Sequence, residues 1–248
     1  MRSNVKDGSV NETMIRVALD KHYYKDLDEL WKRHMKRMFK SIKDDDYIYC
    51  NYYEYKDAKP DLVITVNNRK ILLSVKSGHS PTMHDEPVKT FYDFLREMNV
   101  PERMIRIISF YHYGYSLKPG MSHYPLSREE IIAKHSFYLN QVNDYFRSHQ
   151  EIIRELIYRS IIRGRLKRDV IDYLFYGNSS KGFLLSVSDI LKLISNDKNE
   201  GCKSICFNSL TYVVASREKG NEKRHHLKLH WPILSKWFYD DEFMKKYG

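Results

Sequence analysis

The 248-residue chain has only ten glycines and three cysteines, and no long apolar run. So little glycine leaves no Gly-rich phosphate loop, no G-x-S-x-G elbow and no Rossmann fingerprint. Kinase, NTPase, hydrolase and dehydrogenase readings therefore lack support. Cys50, Cys202 and Cys206 are too few for a disulfide scaffold, and a reducing cell interior is expected. Cys202-x-x-x-Cys206 with His225 and His226 sits at the loose end of zinc spacing, so zinc is set aside. The charge-free stretch Ser204–Ser216 falls short of the ~18 apolar residues that a bilayer span needs. Met1–Asp7 has no apolar core and does not read as a signal peptide, so no membrane partner is expected.

What the chain does have is positive charge. Lys and Arg total 42 against 32 Asp and Glu, a net charge of +10. Such a surplus suggests a polyanion partner, with nucleic acid before an anionic membrane surface. At 30% charged and 42% hydrophobic residues, the composition is globular, and the length suits one large domain or two small ones.

Helical signals open the chain. Ser9-x-x-Glu12 has the form of a capping box starting a helix through about Tyr24, and Leu27 to Phe39 carries a second helical pattern. Tyr47–Tyr55, Asp61–Val66 and Lys70–Lys76 read as strands. Pro87 suits a first helical turn, with Val88 to Met98 continuing, and Met104–Tyr111 reads as a fourth strand. Ser127-x-x-Glu130 is a second capping box, opening a helix to about Arg147. Ile152–Ile162, Val170–Tyr176 and Val187–Ile194 are expected as helices. Ile205–Ala215 and His226–His230 are expected as paired strands, and a last helix starts at Pro232. The expected class is α/β (α+β), a mixed central sheet flanked by helices. Residues 1–125 would carry the chemistry and 126–248 a helical and β-hairpin region, together forming one compact domain.

The segment from Lys59 to Lys76 carries the chemistry. Asn67-Asn68 suits a two-residue hairpin turn, because Asn tolerates positive φ. A turn centred there puts Asp61 directly across from Ser74, with Lys76 on the same face. A three-residue turn would send Asp61 to the face opposite Lys76. A carboxylate and an ammonium would thus converge on a hairpin otherwise built of Leu, Ile and Val.

Pro60-Asp61 followed by Ser74-Val75-Lys76 resembles the PD-(D/E)xK nuclease superfamily, which includes many type II restriction endonucleases. The resemblance covers roughly residues 9–115 and implies a restriction-endonuclease-like fold. The family usually has Asp or Glu where this chain has Ser74. The resemblance implies that the missing carboxylate comes from elsewhere: Glu86 first, with Asp85, Glu97 and the first-helix Glu12 as alternatives. It also implies Mg²⁺, replaceable by Mn²⁺, held by Asp61, the second carboxylate and the Val75 carbonyl. Lys76 would hold or deprotonate the attacking water and stabilise the transition-state charge. Glu12 has a plainer reading as a capping partner, and Ser74 as a small strand residue.

The implied activity is hydrolysis of double-stranded DNA at a specific sequence by a homodimer in the cytoplasm of a prokaryotic cell, leaving a 5′-phosphate and a 3′-hydroxyl. A silent DNA-binding protein on a nuclease fold and a repair nuclease reading DNA shape are the alternatives. His79 and His84 would contact phosphate at the rim of the cleft, and His112 would line it. Two basic clusters are the expected DNA contacts. One spans residues 151–168 and includes Arg163 and Arg165, and the other spans 216–230 and includes Arg217, Lys219, Lys223 and Arg224.

Overall fold

The computed structural model describes residues 4–55, 58–78, 80–115, 125–164, 169–197, 199, 201–216 and 221–248. Its helices are α1 (Asn4–Leu19), α2 (Glu29–Met38), α3 (Val88–Glu97), α4 (Glu102–Tyr113), α5 (Arg128–Ser148), α6 (Gln150–Ile157), α7 (Val187–Asn196), α8 (Ile233–Trp237) and α9 (Asp241–Tyr247). Its strands are β1 (His22–Tyr23), β2 (Tyr47–Tyr52), β3 (Leu62–Val66), β4 (Arg69–Lys76), β5 (Thr82–Pro87), β6 (Tyr173–Gly177), β7 (Gly182–Ser186), β8 (Cys206–Phe207), β9 (Leu210–Val214) and β10 (His226–His230). The chain divides into two compact units. One comprises Met1–Pro81, Ile157–Lys192 and Ile233–Gly248, the other Thr82–Leu156 and Leu193–Pro232.

The first unit is built on a six-stranded sheet ordered β1-β2-β3-β4-β6-β7. Only the β4–β6 pair is parallel, so the sheet is mixed, as the element order predicts. Asn67 and Asn68 take φ of 47° and 65°, the left-handed values a two-residue hairpin turn requires. Leu62 then pairs with Leu73 and Ile64 with Ile71. These residues and Val75 join Ile15, Leu19, Trp31, Met35 and Met38 in one buried cluster, so α1 and α2 supply the apolar partner of this face. The strand period of two turns Ser74 and Lys76 to the other face.

The second unit has a four-stranded antiparallel sheet ordered β5-β10-β9-β8. Phe91 of α3 and Phe146 of α5 meet Phe207 of β8, with ring centroids 5.8 and 4.7 Å apart. The Ser127–Glu130 capping box forms as expected: Glu130 N–H donates to Ser127 Oγ at 3.1 Å, and Ser127 N–H to Glu130 Oε2 at 2.8 Å. Cys202 and Cys206 are joined in a disulfide, and Cys50 is a buried thiol.

Three expectations need correction. Met104–Tyr111 is helix, not strand, and lies within α4. Its Ile and Phe residues favour strand in isolation, yet Ile105, Ile108 and His112 recur at helical spacing and are buried. Gly114 at φ 77° then ends the helix in the left-handed conformation. Val170–Tyr176, expected as helix, contains most of β6. Leu174, Phe175 and Tyr176 are consecutive and all buried, the mark of an inner strand covered on both faces. The helix expected from Pro87 forms as α3, starting at Val88 with Pro87 as its N-cap, while Glu86 lies in β5. Finally, α1 runs from Asn4, so Ser9 and Glu12 are interior positions and do not cap it. No helix among the described residues is long and apolar enough to cross a membrane.

Candidate active site

The site begins where β3 cannot continue. Pro60 has no N–H to give to a ladder, and Asp61 takes over the pairing with both backbone and side chain. Its N–H donates to the Leu73 carbonyl at 2.9 Å. Its carboxylate Oδ2 accepts from Val75 N–H at 2.6 Å and from Ser74 Oγ at 3.0 Å. The carboxylate thus occupies the place a further strand residue would fill opposite Val75. Lys76 Nζ stands 3.9 Å from the same oxygen, with both side chains partly exposed. The register that brings Asp61 to Lys76 is the one the two-residue turn dictates.

Glu12 enters the same field from α1. The buried Asn11 anchors that helix: its Nδ2 donates to the Gly177 carbonyl at 2.9 Å. Gly177 follows Tyr176, the parallel partner of Lys76. Two residues on, Thr13 Oγ1 lies 2.6 Å from the hydroxyl of Tyr52, which pairs with Leu62 beside Asp61. Held between these ties, Glu12 is partly buried, and its carboxyl is pushed up to about 7. Burial is the main cause and the Asp61 charge the second, with Lys76 pulling the other way. Two carboxylates and an ammonium therefore share one end of the hairpin. Among the described residues, no three His, Cys, Asp or Glu side chains form a metal-binding group.

Most of the other expected site residues belong to the second unit. Glu86 belongs to the second unit, where it pairs across the sheet with Leu227 and is 1% exposed. Its Oε1 lies 3.3 Å from His84 Nε2, so the two form a buried polar pair in β5. Asp85 points to the opposite face of that strand and meets His226 Nδ1 at 2.9 Å. Glu97 is the last residue of α3. His112, expected at the rim of a cleft, is 2% exposed, with Nδ1 2.6 Å from the Tyr212 hydroxyl and Nε2 2.8 Å from the Arg224 carbonyl. Arg163 lies 5.6 Å from the Tyr158 ring in the first unit, whereas Lys223 and Arg224 lie on a short 3-10 turn of the second. His79, Arg165, Arg217 and Lys219 lie outside the described residues.

Sequence reasoning named Glu12 as an alternative to Glu86 and also as a capping partner. The signal that could have ranked it first was Asn11, a polar residue on the buried stripe of α1, since such a residue needs a partner and so marks where the helix is pinned. A scan against protein-family models finds no match, and a search of curated proteins finds no similar sequence.

Proposed function

We propose that the first unit carries a metal-dependent endonuclease site, cutting double-stranded DNA at a specific sequence in the manner of type II restriction enzymes. The observation that carries the reading is the convergence of Asp61, Lys76 and Glu12 at one end of the hairpin. In this reading Glu12, not Glu86, is the second carboxylate. Glu12 feels both Asp61 and Lys76, whereas Glu86 is engaged with His84 inside the second sheet.

The donor set suits a hard cation. Two carboxylates raise each other's affinity for positive charge, and Mg²⁺ is held by one or two carboxylates while it keeps several waters. Asp61, Glu12 and the Val75 carbonyl would hold it, with Mn²⁺ as a substitute. When bound, the ion supplies charge for the phosphoryl oxygen and a lowered pKa for a coordinated water. The protein's own residues do the rest. Ser74 Oγ and Val75 N–H fix Asp61 by donating to Oδ2. Lys76 presents its ammonium at the carboxylate pair, where it orients the attacking water and stabilises charge growing on the phosphate. The chain's +10 charge favours approach of the polyanion. A homodimer on a two-fold site is part of the proposal.

The test is cleavage of plasmid DNA with Mg²⁺ by the purified protein and by Lys76→Ala. Wild type is expected to give discrete fragments and the variant none. Equal cutting by both, or no cutting of varied DNA with either Mg²⁺ or Mn²⁺, overturns the proposal.

A further inference from the structure

The loop joining β6 to β7 carries two residues with no role in the site so far. Asn178 Oδ1 accepts from the N–H groups of Ser180 and Lys181, both at 2.9 Å, and Asn178 N–H donates to the Lys181 carbonyl at 2.8 Å. This side-chain turn fixes the exposed Lys181. Its Nζ lies 4.8 Å from the Phe238 ring centroid and 5.2 Å from that of Tyr239.

The two rings play different parts. Phe238 is buried and meets Tyr176 edge-on with centroids 6.0 Å apart. A Cβ added at Gly78 would stand 3.2 Å from the Phe238 ring, so a glycine two residues beyond Lys76 lets the ring lie close to the strand end. Tyr176 is the parallel partner of Lys76. Phe238 therefore pins the segment after α8 to the ends of β4 and β6. Tyr239 follows it and is 70% exposed, the most exposed large hydrophobic side chain among the described residues. Tyr239 meets the edge of Phe238 with centroids 5.2 Å apart, but most of its ring stays open to a ligand. An exposed ring beside an ammonium is suited to a nucleotide, because the ammonium neutralises a phosphate while the ring face packs on sugar or base.

We propose that Lys181 and Tyr239 form a substrate-holding bracket next to the Asp61–Lys76 site. Lys181 takes a phosphate of the strand being cut, and the Tyr239 ring packs on the adjoining nucleotide. The proposal rests on the nuclease reading and adds two binding residues to it.

The experiment measures affinity for labelled duplex DNA over a range of salt, in a Lys76→Ala background so that the DNA stays whole. Tyr239→Ala is expected to weaken binding up to about tenfold, as loss of one apolar ring-to-sugar contact does. Tyr239→Phe keeps the ring and should bind like its parent. Lys181→Ala should weaken binding and reduce the slope of log affinity against log salt by about one, the mark of one lost phosphate contact. Phe137→Ala, which removes another highly exposed ring, should change nothing. If the parent binds DNA and wild type cuts it, yet Tyr239→Ala and Lys181→Ala both match the parent, the bracket is wrong and the nuclease stands. If wild type neither binds nor cuts DNA, both fall together.

Discussion

Two carboxylates in this molecule, each beside a basic side chain, have opposite surroundings. Asp61 and Lys76 sit at the open end of a hairpin, both partly exposed, with a further carboxyl from α1 in their field. Glu86 and His84 sit inside the second sheet, with side chains 0% and 9% exposed. Removing one member of a buried polar pair leaves the other without a partner, so the two depend on each other. An accessible pair is free to meet a ligand. The contrast teaches that a carboxylate's neighbourhood, more than its distance along the chain from a lysine, decides whether it can serve chemistry.

The sharpest way to break the comparison is to remove each pair in turn. Asp61→Asn and Lys76→Ala should lower cleavage by at least about 10²–10⁴-fold, the range for loss of a positioned acid–base group, with melting temperature little changed. A glycine inserted between Asn67 and Asn68 should do as much by another route. It lengthens the turn, shifts the register by one and sends Asp61 to the opposite face from Lys76. Strand content by circular dichroism should persist while cleavage is lost. Glu86→Ala should show the reverse pattern: unfolding easier by about 2 kcal/mol in a urea titration, and unchanged cleavage per folded molecule. Full loss of cleavage by folded Glu86→Ala would return the second-ligand role to Glu86.

The hairpin was legible in the sequence because its determinants are local. Asn67-Asn68 dictates the turn, the turn dictates the register, and the register brings Asp61 to Lys76. The mixed sheet followed from the element order, but the strand β6 and the helix α4 did not. The burial of Leu174, Phe175 and Tyr176 on both sides is a property of the finished sheet, so an isolated reading took β6 for a helix. The length and end signals of α4 were outweighed by its β-branched residues. Glu12 was the hardest to read. Its role depends on the Asn11 tie to Gly177, a contact spanning 166 residues of sequence.

Glu12 gives a smaller but more specific test through pH. Its folded value of about 7 lies above the ordinary 4.5. The folded state therefore binds the Glu12 proton more tightly than the unfolded chain does. That preference stabilises the fold in full below about 4.5 and is lost as pH rises through 7. Glu12→Gln keeps an uncharged polar group of similar shape and lacks the titration. Without metal, the melting temperature of wild type minus that of Glu12→Gln should fall between these two pH values and level off above them. A difference that stays flat would mean that Glu12 is neither desolvated nor in the field of Asp61, and would remove it from the site.

The smallest effect belongs to Ser74, and it separates two roles. The family resemblance expects a metal-binding acid at this position, whereas here a hydroxyl 1% exposed donates to Asp61 Oδ2 at 3.0 Å. Val75 N–H holds the same oxygen at 2.6 Å, so Asp61 stays anchored when the hydroxyl is gone. Ser74→Ala should therefore cost about 1 kcal/mol of stability and lower cleavage by less than about tenfold, as loss of one supporting hydrogen bond does. Ser74→Thr, which keeps the hydroxyl, should restore most of the cleavage if the added methyl is accommodated. A loss as deep as that of Asp61→Asn would assign the hydroxyl to the reacting centre itself. A modest loss leaves it as the group that orients Asp61, and leaves Glu12 to supply the second carboxylate.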